Sequence, residues 1–207
     1  MTEYIDKIIY INLEHRTDRR EQIEGELDKF NLSYERFNAI KTNDPGYVGC
    51  GYSHLNVLKN AKERGYKNIL IFEDDFEFLV SKELFEEQLN LLFTSNIAFD
   101  ICMLSYNLIQ SDVYENEPFL TKVLEAQTTS GYIVNHTMYD ELINLYEWAI
   151  PLLSSTRQHW IYSIDQIWKK YQPITNWYCF TERCGKQRAS YSDNGEKNEL
   201  IWSDNGC

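Results

Sequence analysis

The sequence predicts an α/β fold in which helices flank a mostly parallel central sheet. Two runs, Lys7-Ile8-Ile9-Tyr10-Ile11-Asn12-Leu13 and Asn68-Ile69-Leu70-Ile71-Phe72, are short, rich in β-branched residues and nearly continuous in apolar character. That pattern belongs to strands covered on both faces. Between them lie segments whose apolar residues recur at helical spacing. Alternating strands and helices give right-handed crossovers and a parallel sheet, which binds ligands at the carboxyl ends of its strands.

The elements follow in order. After the first strand and a polar turn, Asp18-x-x-Glu21 has the form of a capping box, and Ile23, Leu27 and Phe30 mark one helical face. Ser53 opens a second helix carrying Leu55, Leu58 and Ala61, with Gly65 as its C-cap before the strand at 68–72. Ser81 to Thr94 is periodic through Leu84, Phe85, Gln88, Leu91 and Leu92, and Asp100 to Leu104 reads as a third core strand. Gln110 to Pro118 is polar and reads as a surface loop, Thr137 to Trp148 as a further helix, and 185–207 as a tail rich in Ser, Asn, Asp and Gly. No repeat or low-complexity linker interrupts the 207 residues, so a single domain is expected over 1–207.

Composition narrows the partners. The formal net charge of −12 repels phosphate backbones and anionic lipid surfaces, so neither nucleic acid nor a membrane is an expected partner. No run approaches the roughly 18 apolar residues of a membrane span, and Met1 to Lys7 lacks a signal-type pattern. A cytoplasmic protein is the expectation. Five scattered cysteines form no CxxC pair and read as reduced thiols, mostly buried. GxGxxG and GxxxxGK[ST] are both absent, which removes the main signature of dinucleotide and P-loop sites. No pattern encodes an oligomeric state.

Two local concentrations of charge carry the chemistry. Glu73, Asp74 and Asp75 leave an apolar strand together, where unpaired carboxylates repel one another and call for a cation. If the backbone stays extended, Glu73 and Asp75 share one side, a pair of hard oxygen ligands suited to Mg²⁺ or Mn²⁺. The alternative is a set of solvated loop acids, or caps for the helix near Ser81. Arg16, Arg19 and Arg20 follow the first strand near a helix start, where amides and guanidinium forks favour phosphate. Each arginine taken singly also fits a surface pair with Glu21 or Glu24.

Three segments together resemble glycosyltransferase family 25: Tyr10-Ile11-Asn12-Leu13 with Arg16 and Asp18-Arg19-Arg20, then Gly49-Cys50-Gly51-Tyr52-Ser53-His54-Leu55, then Ile71-Phe72-Glu73-Asp74-Asp75. Thr129 to Val134 is similar to a later strand of that family. The resemblance implies a GT-A type, Rossmann-like fold, a UDP-sugar donor, Mn²⁺ at the acidic motif and inversion at the anomeric carbon. It implies that Asn12, Arg16, Arg19, Arg20, His54 and Asp74 serve the donor, a hydrogen-bonded structural histidine at a helix start being the alternative for His54, and that Glu73 and Asp75 hold the metal or the donor ribose. Asp165, in Ser163-Ile164-Asp165-Gln166, matches the family's later aspartate and is the candidate general base; a helix cap is the alternative. Residues 185–193 resemble the donor-covering segment, with Lys186 or Arg188 on the diphosphate and Asp193 as a further metal ligand, or else a surface tail.

The expected activity is therefore transfer of a hexose, galactose or glucose, from a UDP-sugar to a hydroxyl on a glycan or protein acceptor. A non-catalytic nucleotide-sugar or glycan-binding module of the same fold is the alternative. A metal-dependent phosphohydrolase is disfavoured, because no second His and Asp cluster occurs at recognisable spacing. Trp160, Trp168, Trp177 and Tyr178 are either acceptor-stacking aromatics or core.

Overall fold

The structure, a computed structural model, describes residues 3–113 and 117–189. Eight strands form the central sheet: β1 (Lys7–Asn12), β2 (Glu35–Asn38), β3 (Asn68–Glu73), β5 (Ile101–Met103), β6 (Asn107–Val113), β7 (Leu120–Gln127), β8 (Gly131–Asn135) and β9 (Trp177–Phe180). Their order is β2-β1-β3-β8-β5-β9-β7-β6, and only β8 and β7 run against the others. A separate two-stranded ribbon pairs β4 (Phe76–Phe78) with β10 (Gly185–Gln187). No helix among the described residues is long and apolar enough to cross a membrane.

The continuous apolar runs have a simple cause. In β1, Ile9 and Ile11 enter one core and Ile8 and Tyr10 the other; β3 divides in the same way, Ile69 and Ile71 against Leu70 and Phe72. Helices α2 (Gly46–Glu63) and α4 (Tyr139–Thr156) cover the first face, and α1 (Thr17–Lys29) and α3 (Lys82–Thr94) the second. Ser81 caps α3, its hydroxyl accepting from the Leu84 amide. Helix α2 ends in a Schellman motif: the Tyr66 amide donates to the Ala61 carbonyl and the Gly65 amide to Lys62, with Gly65 at φ +69°.

Several local expectations are corrected. Helix α2 begins at Gly46, seven residues before Ser53, because packing overrides the poor propensity of Gly49 and Gly51. A Cβ on Gly49 would stand 2.3 Å from the Ile40 carbonyl oxygen, so this turn can press against the chain only as glycine. Asp18 forms no capping box; Arg16 occupies the cap and Asp18 pairs with its guanidinium. The polar stretch from Gln110 begins inside β6, an edge strand that has no buried face to maintain. Helix α4 runs past Trp148 and through Pro151 to Thr156.

The acidic turn is fixed by one ring. Phe76 starts β4, and its side chain fills the space that side chains at Gly131 and Gly185 would need: Cβ atoms there would stand 2.6 and 2.2 Å from the ring. The four thiols among the described residues are free; Cys102, Cys179 and Cys184 are buried and Cys50 is half-buried.

Candidate active site

Strands β1 and β3 are parallel neighbours with Ile11 opposite Glu73, so Asn12 and the acidic turn emerge side by side at their carboxyl ends. The chain turns after Glu73, so extended alternation does not describe Asp74 and Asp75. The Asn12 amide donates to Asp74 Oδ2 at 2.8 Å, while its carbonyl accepts from Arg36 Nε at 3.0 Å. Arg19, on the first turns of α1, donates through Nη1 to Asp74 Oδ1 at 2.9 Å and lies 3.5 Å from Asp75 Oδ2. Asp74 is thereby held on both oxygens.

Asp75 is held less completely. Its carboxyl is 13% exposed, and buried Oδ1 has no hydrogen-bond partner among the described residues. Burial and then the Glu73 charge push Asp75 up to about 8, against which Arg19 pulls only in part. Its backbone carbonyl accepts from the Arg188 amide at 2.6 Å, which ties β10 to the turn.

Glu73 faces the opposite wall. His54, on α2, places Nε2 3.2 Å from Glu73 Oε1, and the Thr129 hydroxyl donates to that same oxygen. Burial raises the Glu73 pKa, but His54 and Thr129 outweigh it and the net direction is down. The other His54 nitrogen, Nδ1, meets the buried Tyr132 hydroxyl at 2.8 Å. Asp165 belongs to a short helix, Ile164–Ile167, where its Oδ2 accepts from the Thr128 amide at 3.4 Å. Burial and the neighbouring Glu73 charge raise its pKa. The arrangement can therefore hold a cation between acids, and it keeps one carboxyl basic enough to take a proton.

A cleft of about 230 Å³ opens at this end of the sheet, with Asn12, His15, Arg19, Lys41, His54 and Glu73 among its walls. Of the residues singled out from sequence, Asn12, Arg19, His54, Glu73, Asp74 and Asp75 converge here, and Asp165 interacts electrostatically with Glu73. Others pair elsewhere. Arg16 binds Asp18, and Arg20 binds Glu24 at 2.9 Å. Lys186 lies 3.2 Å from Glu77, and Arg188 3.5 Å from both Glu26 and Glu77, on the ribbon. Asp193 lies outside the described residues. Trp168, Trp177 and Tyr178 are core, whereas Trp160 is 62% exposed.

Sequence reasoning missed Arg36, Thr129, Tyr132 and Lys41. Arg36 sits in a four-residue strand with little apolar pattern, and nothing local marks it. Thr129 and Tyr132 carried a signal only as part of a strand.

No protein-family model matches the chain. It is 27% identical to procollagen galactosyltransferase 1-A of Xenopus laevis over 171 aligned positions, taking in 67% of this chain and 28% of that protein. It is 29% identical to a glycosyltransferase 25 family member of Drosophila melanogaster over 101 positions, 36% of this chain and 16% of that protein. The chain thus spans under a third of the length of these relatives. Among solved structures, UDP-glucose pyrophosphorylase complexed with UDP-glucose shares the fold with a TM-score of 0.50 at 9% identity, over 89% of this chain and 92% of that one.

Proposed function

Taking as premise a chain similar in sequence to glycosyltransferase family 25 and built on a Rossmann-like sheet, we propose that it transfers a hexose from a UDP-sugar to an acceptor hydroxyl. The observation that carries this reading is the under-satisfied Asp75 carboxyl, placed beside Glu73 and Arg19 at the joint exit of β1 and β3. That exit is where open α/β sheets bind nucleotides. Two carboxylates, one with a bare buried oxygen, fit a small divalent cation, and Glu73 and Asp75 would hold Mn²⁺ or Mg²⁺ there. When bound, such an ion supplies positive charge to the leaving diphosphate.

The chain's own residues do the rest. Arg19 and Lys41 are the cations of the cleft and would meet the donor phosphates. Asn12 and Asp74 brace Arg19 and the turn. Asp165, raised in pKa, takes the proton of the acceptor hydroxyl as that oxygen attacks the anomeric carbon from the face opposite the departing diphosphate. Of the four aromatics named from sequence, Trp160 is exposed and able to stack on an acceptor sugar. Asp193 remains a candidate further ligand, and the acceptor is a glycan or a protein.

UDP release measured with and without acceptor, across a panel of UDP-sugars in Mn²⁺, tests this reading. Acceptor-dependent release with one donor supports it. Donor binding without release favours a non-catalytic binding module.

A further inference from the structure

Glu73 has a second face. Cys50 and His54 stand four residues apart on α2, so they share one side of that helix, and both line the cleft opposite the acidic turn. One ligand atom from each of Cys50, His54 and Glu73 falls within 4.8 Å of the others. We propose that these three residues form a site for a thiophilic divalent cation of the Zn²⁺ class, separate from the hard-cation position between Glu73 and Asp75.

The distances support a shared ion. His54 Nε2 and Glu73 Oε1 are 3.2 Å apart, close to the edge of about 3.3 Å in a tetrahedron with metal bonds of about 2.0–2.1 Å. No rearrangement of that pair is needed. A thiolate at about 2.3 Å from the metal stands about 3.5 Å from the other ligands, so the Cys50 side chain closes by at most about 1.3 Å, within reach of a rotamer adjustment.

The surroundings are those of a prepared site. Metal-binding imidazoles are oriented through their other nitrogen, and here Tyr132, fully buried, holds Nδ1. Thr129 bonds to the Glu73 oxygen and fixes its direction. The helix itself is pinned by Gly49 against Ile40 and by Gly51 against Ile150. The ligand set, one sulfur, one imidazole nitrogen and one carboxylate oxygen, selects Zn²⁺ or Co²⁺ over Mg²⁺ and Ca²⁺, and the cleft leaves the fourth position to water. On binding, the Cys50 thiol loses its proton to solvent and the sulfur joins the metal as thiolate.

The test uses the metal alone, so its result is independent of sugar transfer. Co²⁺ added to the metal-free chain should give a thiolate-to-cobalt absorption band in the near ultraviolet, and Zn²⁺ should displace it. Cys50→Ser should remove the band and weaken Zn²⁺ binding at least tenfold by calorimetry, with an unchanged thermal unfolding transition. A band that is absent, or that survives in Cys50→Ser, overturns the proposal. Should Cys50→Ser fold poorly, the native chain decides: Zn²⁺ must protect Cys50 from alkylation, read by mass spectrometry, and alkylation at an undiminished rate overturns it equally.

Discussion

Asn12 and Asp74, 62 positions apart in the chain, are joined by a 2.8 Å hydrogen bond between the ends of neighbouring parallel strands. With Arg19 on its other oxygen, Asp74 carries a hydrogen bond on each carboxylate oxygen. The middle acid of the triplet braces the turn and lines the cleft beside Glu73, while Asp75 lies buried behind them.

Arg19→Ala should therefore act on both stability and binding. It strips the ion partner from a buried carboxylate, a change that costs about 3–5 kcal/mol, and UDP-sugar binding should weaken by about 1.5–3 kcal/mol. Arg20→Ala, which removes an exposed pair with Glu24, should leave both within error. Denaturant unfolding and calorimetry of the two variants check this. Equal effects would place the phosphate contact on the other side of α1.

Donor binding should require a divalent ion, with Mn²⁺ more effective than Ca²⁺, because Glu73 and Asp75 offer a small oxygen set. Calorimetry with UDP before and after a chelator is the measurement. Tight binding that ignores the chelator would count against the acidic site.

The metal-free protein should lose stability as pH rises. Asp75 titrates near 8 when folded against an ordinary 3.8, so between these values the folded state holds a proton the unfolded state has released. Stability then falls with increasing pH across that window. Asp74 and Asp165, both raised by burial, act in the same sense; Glu73, held low by His54, acts oppositely at the acidic end. Asp75→Asn should flatten the profile and stabilise the metal-free chain by about 1–3 kcal/mol at pH 8, read from unfolding transitions in chelator. A profile unchanged by the substitution would rule out Asp75 as its source.

Asp165→Asn separates chemistry from binding. The amide keeps the size and the contact with the Thr128 amide but cannot take a proton, so transfer should fall by about 10²–10⁴-fold. Donor and Mn²⁺ affinity should hold. Near-native transfer would move the base elsewhere, and lost metal affinity would make Asp165 a ligand.

Much of this was legible in the sequence, and the rest was hidden for definite reasons. β1, β3 and α3 were readable because both faces of the sheet are covered and the helix keeps its apolar residues at helical spacing. The start of α2 was not, since Gly49 and Gly51 are tolerated only for the close packing they permit. In the site, Glu73, Asp75 and Arg19 announced themselves by charge at a strand end. Arg36 and Thr129 did not, because their roles depend on strands distant in sequence meeting in the sheet. Arg20 takes the other reading the sequence offered, a surface pair: one residue along a helix rotates a side chain by about 100°, here toward Glu24.

Gly185→Ala should destabilise the chain by about 1–3 kcal/mol, because the new methyl would meet the Phe76 ring at 2.2 Å and the Glu77 carbonyl oxygen at 2.8 Å. Thermal unfolding checks the size of the loss. A neutral result would mean that the ribbon can slide away from the ring.

The shared contact of Phe76 with Gly131 and Gly185 bears on how such a chain can drift. Three positions spread over 110 places in the sequence occupy one volume, so neither glycine can gain a side chain while the ring keeps its size. Among descendants of this sequence, a side chain at 131 or 185 should be found only beside a smaller residue at 76. A lineage that trims the ring should loosen the turn bearing Asp74 and Asp75 before it alters any acid, so that the geometry of the acidic turn is lost there by a change in packing, with every charged residue still in place.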